Sequence, residues 1–427
     1  MFEKIHHYNY KNIFKNFFIK DEYKRLTYYV LTHPKMIWPL YRVASGVKKY
    51  TIKYFDKGNY ICGPPITVII RITHRCNQRC IMCGQWSERG FLRNMPKEEI
   101  ERELSTSQIN SFIEKIAHFR PFLSFFGGEP LLRDDICDII KFASSKHLFT
   151  TMNSNCLLLK DRAEGLVKGG LTFYKASLDG PYGINEKIRM SKDSYKEAVE
   201  GLRYLIKRRK QLRSGFPIVQ MCTTITKENQ YRLLEMAEIA EEIGVDTFAI
   251  LFGIFSTEAL INKSNEISKD ELNFEWKWWE GFVRDVGGMD ADAIKRQVDK
   301  IKNTKWHFRY RQYPPDTKCF DIRRHYHQPH ITHGGGLCVL PWVRMEVMPN
   351  GDVALCEDTP DYIAGNILTE DPLTIWNNQK YIEFRKFIKE KGIFPVCARC
   401  SALYEVPHYM NELLPNINFN TDTHENH

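Results

Sequence analysis

The stretch of sequence that decides the fold is TVIIRITHRCNQRCIMC, residues 67–83. Its first part is rich in β-branched residues, which predicts a buried strand. Three cysteines, Cys76, Cys80 and Cys83, lie in a short loop directly after that strand. This spacing lets three thiolates point at one centre, either an iron–sulfur cluster with one open iron or a zinc ion that keeps a water ligand.

From this stretch to residue 252, short apolar runs alternate with longer amphipathic segments, which is typical of βα units around a parallel sheet. We predict strands at residues 67–73, 122–126, 148–153, 172–177, 218–223 and 247–252, with helices at 96–119, 135–146, 159–168, 194–209 and 230–243. Six such units are too few for a closed eight-stranded barrel. The predicted fold class is therefore α/β, a partial (β/α)6 TIM-like barrel whose polar strand ends converge on one mouth.

After residue 252 the alternation stops, and the predicted secondary structure changes twice along the chain. Residues 256–303 favour helix, and we interpret Trp276, Trp278 and Trp279 as packing residues. Short β-like runs follow three consecutive glycines at 334–336, and residues 348–351 predict a hairpin turn. The predicted organisation is a basic aromatic helical arm (1–64), the barrel core (65–255), a helical connector (256–318), a small C-terminal domain (319–404) and a polar tail (405–427).

The composition is that of a globular protein, with 427 residues, 43% hydrophobic and 26% charged. No apolar run is long enough to span a bilayer, because the best candidate, residues 26–47, is interrupted by charged residues and prolines. The first residues lack the apolar stretch and cleavage site of a signal peptide. We therefore expect a cytoplasmic protein.

The first 57 residues hold 12 Lys and Arg against 4 Asp and Glu, which is +8 of the net charge of +9. Aromatic residues are interleaved with these basic residues, a combination that suits an anionic membrane surface or nucleic acid. The arm is equally consistent with a helical brace whose long cationic side chains cover apolar surface. We expect no nucleic acid partner, and keep open a peripheral contact of residues 1–57 with the inner face of the membrane.

Twelve cysteines in a chain without a secretory signal indicate metal ligation or redox chemistry and not structural disulfides. Beyond the first triplet, a second group is formed by Cys338, Cys356, Cys397 and Cys400. The remaining cysteines stand alone and are interpreted as small buried apolar residues: Cys62, Cys137, Cys156, Cys222 and Cys319.

The C-x3-C-x2-C triplet after the first strand resembles that of the radical S-adenosylmethionine (radical SAM) enzymes. The end of the second strand, GGEP at 127–130, matches a family segment, and SLDGP at 177–181 is similar to another. The resemblance implies a [4Fe-4S] cluster on Cys76, Cys80 and Cys83, with an open iron for S-adenosylmethionine (AdoMet). It also implies cofactor contacts by Met82, Gly127, Gly128, Glu129, Pro130, Asn153, Ser177, Asp179 and Arg189.

Three of these cofactor contacts have alternatives. Residues 177–181 could also form an ordinary turn after a strand, and Arg189 could also be a solvated helix residue.

Met82 departs from the family, which usually has an aromatic residue before the third cysteine, but the implied contact uses the backbone. For the two glycines, the expected reason is close approach of the backbone to the methionine amine of the cofactor.

The second cysteine group resembles the auxiliary-cluster extension called SPASM or, in its shorter form, twitch. A full SPASM extension has seven cysteines, whereas no cysteine follows Cys400 here. The implied cofactor is one auxiliary [4Fe-4S] cluster with four cysteine ligands, which suits electron transfer better than substrate binding. A four-cysteine zinc ribbon is the alternative. Four nearby histidines, at 325, 327, 330 and 333, fit no standard metal site and are interpreted as a polar loop.

The resemblance implies reductive cleavage of AdoMet to a 5′-deoxyadenosyl radical, which abstracts a hydrogen atom from an organic substrate. Four auxiliary ligands favour oxidation of a sugar-like, small-molecule or lipid-linked substrate, with a flavodoxin- or ferredoxin-type reductant. The alternatives are a peptide-modifying maturase, a radical epimerase and, in another class, a non-catalytic iron–sulfur or zinc module. No catalytic acid, base or hydrogen donor stands out, although Cys156 and Cys222 lie near strand ends.

Overall fold

The computed structural model describes residues 60–357, 359–405 and Phe419. The predicted arm over residues 1–57 and nearly all of the predicted tail lie outside the described residues. Within them, no helix has the length and apolar character needed to cross a membrane. The helices are α1 (Lys97–Ile100), α2 (Thr106–Ala117), α3 (Ile136–Ser145), α4 (Leu159–Gly169), α5 (Ile184–Arg189), α6 (Ser194–Gln211), α7 (Leu233–Ile243), α8 (Glu258–Leu272), α9 (Ala291–Asn303), α10 (Ile322–His327), α11 (Pro372–Trp376) and α12 (Gln379–Lys391).

One sheet of ten strands organises the described part of the chain. The strands are β1 (Thr67–Thr73), β2 (Phe122–Gly127), β3 (Thr150–Ser154), β4 (Phe173–Ser177), β5 (Ile218–Thr224), β6 (Thr247–Leu251), β7 (Arg309–Tyr313), β8 (Arg344–Val347), β9 (Asp352–Cys356) and β10 (Thr359–Asn366). Their order is β10-β9-β8-β1-β2-β3-β4-β5-β6-β7. Strands β1 to β6 pair in parallel as neighbours in sequence, so the prediction of six βα units around a partial barrel is confirmed.

The sheet extends beyond the predicted six strands at both edges. At one edge, β7 pairs in parallel with β6, so residues 256–318, predicted as a helical connector, also contain a strand. At the other edge, β8 pairs in parallel with β1. The C-terminal strands therefore continue the barrel sheet, because Thr67 and Ile69 of β1 lie opposite Arg344 and Glu346 of β8.

The predicted hairpin turn at residues 348–351 is confirmed. It joins β8 to β9, which pair antiparallel, and β9 pairs antiparallel with β10. Gly351 has a φ of +90°, a left-handed conformation that favours glycine. The turn also contacts the barrel, since the Leu104 amide donates to the Pro349 carbonyl at 2.7 Å.

The predicted helix at residues 96–119 is wrong in its extent, because two helices, α1 and α2, replace it. Ser105 is extended and caps α2: its hydroxyl accepts from the Gln108 amide, while the Gln108 side chain accepts from the Ser105 amide. This reciprocal capping box satisfies two backbone donors at a helix start. It favours a new helix start over a continuous helix.

Aromatic side chains pack the segment after β6 against the C-terminal region. Trp276, Trp278 and Trp279 are each 1% exposed, which confirms their interpretation as packing residues. Phe274 stacks on Tyr362 of β10 with ring centroids 4.7 Å apart. Large aromatic surfaces of this kind stabilise the contact mainly through the apolar area they remove from water.

Candidate active site at the carboxyl ends of the strands

The cysteine loop follows β1 at the carboxyl edge of the sheet, as predicted. The Cys83 Sγ accepts hydrogen bonds from the backbone amides of Gln85 and Trp86, both at 3.4 Å. Asn155 Nδ2, after β3, lies 4.0 Å from the Cys76 Sγ, and Arg189 Nη1, at the end of α5, lies 3.9 Å from the Cys80 Sγ. Three separate elements therefore direct N–H groups at the three sulfurs, an environment that favours thiolates.

Burial works against this preference for thiolates while no metal is bound. It raises the pKa of Cys76 to about 12 and that of Cys80 to about 11, although Arg189 opposes the rise at Cys80. A positive metal centre reverses this balance, because a coordinating thiol is deprotonated outright. The loop therefore has the chemistry of a metal-binding loop, in which the Cys76 and Cys80 thiols stay protonated until a metal binds.

Gly127 and Gly128 lie against the backbone of the cysteine loop. The Gly128 amide donates to the Thr73 carbonyl, and the Glu129 amide donates to the Arg75 carbonyl, both at 2.8 Å. A Cβ on Gly128 would lie 2.1 Å from the Arg75 carbonyl oxygen. The glycines are thus required by contact between two protein segments, a reason that the sequence analysis did not give.

Glu129, at the end of the same turn, is completely buried and ties β2 to β3. Its carboxylate accepts from the amides of Leu131 at 3.0 Å and Asn155 at 2.7 Å, and from the Ser154 hydroxyl at 2.9 Å. Burial raises its pKa to about 7, and the three donors oppose that rise. Pro130 begins the short helical turn that follows.

Asp179 and Arg189 form a buried ion pair below the cysteine loop. The Asp179 carboxylate also accepts from the Thr224 amide at 2.7 Å. Burial alone lowers the pKa of Arg189, but Asp179 and then Cys80 raise it overall. Arg189 is 7% exposed, so the alternative of a solvated helix residue is wrong.

Asn153 and Ser177 lie half-buried on one face of the sheet, at the ends of β3 and β4. The residue after Ser154, Asn155, contacts the cysteine loop directly, since its Nδ2 donates to the Asn77 Oδ1 at 2.7 Å. Asn153 was predicted as a site residue from the sequence, whereas Asn155 was not. The signal was present, because Asn155 also follows β3 within the same polar cluster.

The Met82 carbonyl, where a cofactor contact is expected, accepts a hydrogen bond from Arg284. Arg284 comes from the segment between α8 and α9 and is brought to the loop by the tertiary fold alone. Burial lowers its pKa to about 10, and the Cys83 thiolate opposes that change. No motif in the sequence marked this arginine.

Several buried polar atoms around the loop have no hydrogen-bond partner in the described part of the chain. They are His74 Nδ1, Gln78 Nε2, Gln85 Oε1 and Arg189 Nε. Buried polar groups are normally paired, so these four atoms are available to a ligand that binds at the loop. AdoMet offers an amine, a carboxylate, ribose hydroxyls and an adenine, which match these donors and acceptors. The residues present therefore fit this cofactor.

The second cysteine group lies in the C-terminal strands and the turns around them. Cys356 ends β9, and Cys397 and Cys400 share one short turn, in which the Cys400 amide donates to the Cys397 carbonyl at 3.1 Å. Cys338 precedes the turn that leads into β8. All twelve cysteines are free thiols in the structure. Among the described residues, no group of His, Cys, Asp and Glu is arranged to hold a single metal ion.

The interpretation of the histidines as a polar loop is wrong for His325 and His333, which are each 1% exposed. Their rings stack with centroids 5.3 Å apart, and the His325 Nδ1 lies 3.2 Å from the His333 Nε2. Burial, reinforced by Arg399, lowers the pKa of His333 to about 2. Both rings are therefore neutral packing groups. His325 lies on α10, and His333 follows that helix in the chain.

The two cysteines noted near strand ends differ in their surroundings. Cys156 is fully buried, accepts a hydrogen bond from the Tyr174 hydroxyl at 3.4 Å, and has its pKa raised to about 12 by burial. Cys222 is half-buried and accepts from the Gln220 amide at 3.1 Å. Of the two, only Cys222 has partial access to solvent.

Two family models match the chain on either side of the connector. Residues 70–240 match the radical SAM superfamily, and residues 338–401 match the SPASM iron–sulfur cluster-binding domain. This chain is a radical SAM protein with a SPASM domain. It therefore uses AdoMet, a [4Fe-4S] cluster and an auxiliary cluster, and the predicted family is confirmed.

Curated relatives of this radical SAM protein have different products. An AdoMet-dependent heme synthase from Methanosarcina barkeri is 25% identical over 79% of this chain and 88% of that protein. A pre-heme d1 synthase from Dinoroseobacter shibae is 26% identical over 48% of this chain, a match that spans 47% of that protein. A PqqA peptide cyclase from Gluconobacter oxydans is 25% identical over 54% of this chain and 61% of that protein.

Among solved structures, Streptococcus suis SuiB bound to S-adenosylmethionine has a similar fold. The TM-score is 0.55 at 16% identity, over 81% of this chain and 72% of that chain. This likeness confirms the predicted fold class, a partial barrel with a C-terminal SPASM domain.

Proposed function

We propose that this protein abstracts a hydrogen atom from an organic small molecule and oxidises the resulting radical with the help of one auxiliary [4Fe-4S] cluster. The observation that carries the proposal is the set of three thiols after β1, surrounded by buried, unpaired polar atoms. When bound there, the reduced cluster and AdoMet supply a carbon radical able to attack an unactivated C–H bond.

In this proposal the chain's own residues hold and orient the cofactors. Cys76, Cys80 and Cys83 would ligate the cluster, and the amides of Gln85 and Trp86 stabilise the third thiolate. The buried pair Asp179–Arg189 holds the guanidinium below the loop, where its unpaired Nε suits the carboxylate of AdoMet.

Two further contacts would orient the remainder of AdoMet. The Gly127 carbonyl accepts from Gln85 Nε2 at 3.2 Å and has a second lone pair that suits the amine of AdoMet. The Met82 carbonyl, which accepts from Arg284 and precedes the third cysteine, would contact the adenine. Asn153 and Ser177 would complete the ribose side.

The auxiliary cluster would be held by Cys338, Cys356, Cys397 and Cys400. Four thiolate ligands leave no open iron, so this cluster suits acceptance of an electron better than substrate binding. Oxidation of the substrate radical follows from that property, whereas epimerisation would require a hydrogen donor instead. A flavodoxin- or ferredoxin-type protein would supply the electron that starts each turnover.

A second candidate is modification of a peptide, which the similarity to a PqqA peptide cyclase favours. The match to an AdoMet-dependent heme synthase, which spans 88% of that protein, favours a non-peptide substrate instead. We therefore place a small organic molecule first. Contact of residues 1–57 with an anionic membrane surface is part of the proposal only for a lipid-linked substrate.

The experiment that tests this function is anaerobic reconstitution followed by iron and sulfide counting and by AdoMet cleavage with dithionite. We expect about eight irons in the wild type and about four in a Cys76/Cys80/Cys83→Ala variant. Only the wild type should form 5′-deoxyadenosine. Cys137→Ala is a matched control, since this thiol lies on the helix side of the sheet, near Gly165.

Other outcomes would contradict defined parts of the proposal. Four irons in the wild type, or zinc in the second site, would remove the electron acceptor and favour epimerisation. Absence of 5′-deoxyadenosine from a fully reconstituted wild type would contradict radical chemistry altogether. Vesicle binding that is unchanged after deletion of residues 1–57 would exclude the membrane contact.

A further inference from the structure

The two faces of the barrel sheet differ in what covers them. On β4, Tyr174 and Ala176 are fully buried against the helices, whereas Phe173, Lys175 and Ser177 are half-buried. The same alternation occurs on β2 and β5. The face that carries Lys175 is therefore the inner face of the partial barrel, and it retains access to solvent in place of the packed layers that fill a closed barrel.

Strand register places Lys175 in a continuous row on this inner face. Asn153 pairs with Lys175, Lys175 with Gln220, Gln220 with Thr247, and Thr247 with Arg309. One step nearer the carboxyl ends, Ser177 pairs with Cys222, Cys222 with Ala249, and Ala249 with Arg311. Parallel partners point to the same face, so Lys175, Arg309 and Arg311 share the inner face of the sheet.

The cations on the inner face differ in whether they have a counter-charge. On the β1 and β8 side, Arg71 pairs with Glu346, and Arg344 pairs with Glu357. On the β4 side, no residue of the described chain forms an ion pair or a hydrogen bond with the Lys175 ammonium. A half-buried cation without a counter-charge is costly, and an anion from outside relieves that cost.

We infer that Lys175, on the same inner face as Arg309 and Arg311, binds an anionic group of the substrate, either a carboxylate or a phosphate. Lys175 lies two residues before Ser177 on the same strand face, about 7 Å deeper than the proposed ribose contact. An anion held at this depth would place the body of the substrate between Lys175 and AdoMet. This inference rests on the proposed function, because it takes the inner cavity as the substrate site.

Lysine reactivity provides a test that needs no knowledge of the substrate. The reconstituted full-length protein is treated anaerobically with an acetylating reagent, and modification of each lysine is followed by mass spectrometry. Citrate supplies the carboxylates and inorganic pyrophosphate supplies the phosphates, with sodium chloride at matched ionic strength as a reference. Lys146 is the control lysine, since its side chain is 30% exposed but pairs with Glu114.

We expect citrate or pyrophosphate to slow the acetylation of Lys175 at least threefold and to leave Lys146 unchanged. The more protective anion identifies the group. Equal rates in citrate, pyrophosphate and sodium chloride would overturn the inference. So would protection by AdoMet alone, because Lys175 would then belong to the cofactor site.

Variants give an independent readout by calorimetric titration of the more protective anion. Lys175→Met should weaken its binding at least tenfold, and Lys175→Arg should stay within threefold of the wild type. Both should keep the iron content and AdoMet affinity of the wild type. Full affinity in Lys175→Met would overturn the inference. Failure of the proposed function is distinguishable, because it appears as absent 5′-deoxyadenosine while Lys175 is still protected.

Discussion

Glu129 is a carboxylate in contact with three donors and no solvent. Its partners belong to the turn after β2 and to the end of β3, so the residue fixes the distance between two strand exits that face the cysteine loop. Both carboxylate oxygens of Glu129 accept hydrogen bonds. A glutamine would place a donating NH2 group against one of these donors, so it cannot replace the carboxylate. Glu129 therefore acts as a positioning residue as well as a predicted cofactor contact.

Glu129→Gln should lower the free energy of unfolding at pH 8 by about 1–3 kcal/mol, because a buried donor loses its acceptor. Urea denaturation of the metal-free protein measures this change. Ser154→Ala, which removes only one donor, should cost less. A variant as stable as the wild type would show that the three hydrogen bonds contribute nothing.

Glu129→Gln should also change how the free energy of unfolding depends on pH. Burial raises the pKa of Glu129 to about 7, from an ordinary value of 4.5. Between these values the folded state binds more protons than the unfolded state, so wild-type stability falls as pH rises. Glu129→Gln removes that contribution and should have a flatter profile from pH 5 to pH 7. Parallel profiles would contradict the direction of the shift.

At the scale of elements, the turn at 127–130 and the cysteine loop form one unit joined by backbone hydrogen bonds. A Cβ on Gly128 would lie within 2.7 Å of both the Arg75 and the His74 carbonyl oxygens. Neither contact can relax by rotation of a side chain, so the loop itself must move. Its three thiols would move with it.

Gly128→Ala should therefore weaken AdoMet binding at least tenfold and destabilise the fold by about 1–3 kcal/mol. Equilibrium dialysis and thermal unfolding measure the two effects. Gly215→Ala is the matched control, because a Cβ there has no atom within 4 Å. Normal AdoMet affinity in Gly128→Ala would mean that the loop position does not matter for the cofactor.

At the scale of the whole molecule, the SPASM strands are joined to the barrel through the pairing of β8 with β1. The buried pair Arg71–Glu346 lies across that junction, and Arg71 also donates to the Glu357 carbonyl at 2.7 Å. The Arg71 guanidinium lies 5.0 Å from the ring centroid of Trp278. One ion pair thus connects the barrel, the C-terminal strands and the intervening segment.

Glu346→Gln should cost about 3–5 kcal/mol in unfolding free energy, since it leaves a buried cation without its counter-charge. Glu242→Gln, which breaks the exposed pair Arg203–Glu242, should cost at most about 1 kcal/mol. Urea unfolding of both variants makes the comparison. Equal costs would show that the junction tolerates an unpaired Arg71.

Short-range patterns were sufficient for much of this organisation. The alternation of apolar runs placed β1 to β6 within a few residues, because strand and helix periodicities are local properties. The cysteine spacing and GGEP placed the thiols and the turn at neighbouring strand ends, since parallel strands end at a common edge. The turn at 348–351 was predicted because its residues are those that a tight turn requires.

The sequence by itself therefore determined the class of fold, the two cysteine groups and the positions of the cofactor motifs. Tertiary structure alone decided that Arg284 contacts Met82, that His325 and His333 are buried, that β7 and β8 extend the sheet, and that Lys175 lies on the inner face of that sheet. Each of these depends on residues far apart in the chain. Burial and pairing between distant segments arise only when the sheet assembles, and no local spacing encodes them.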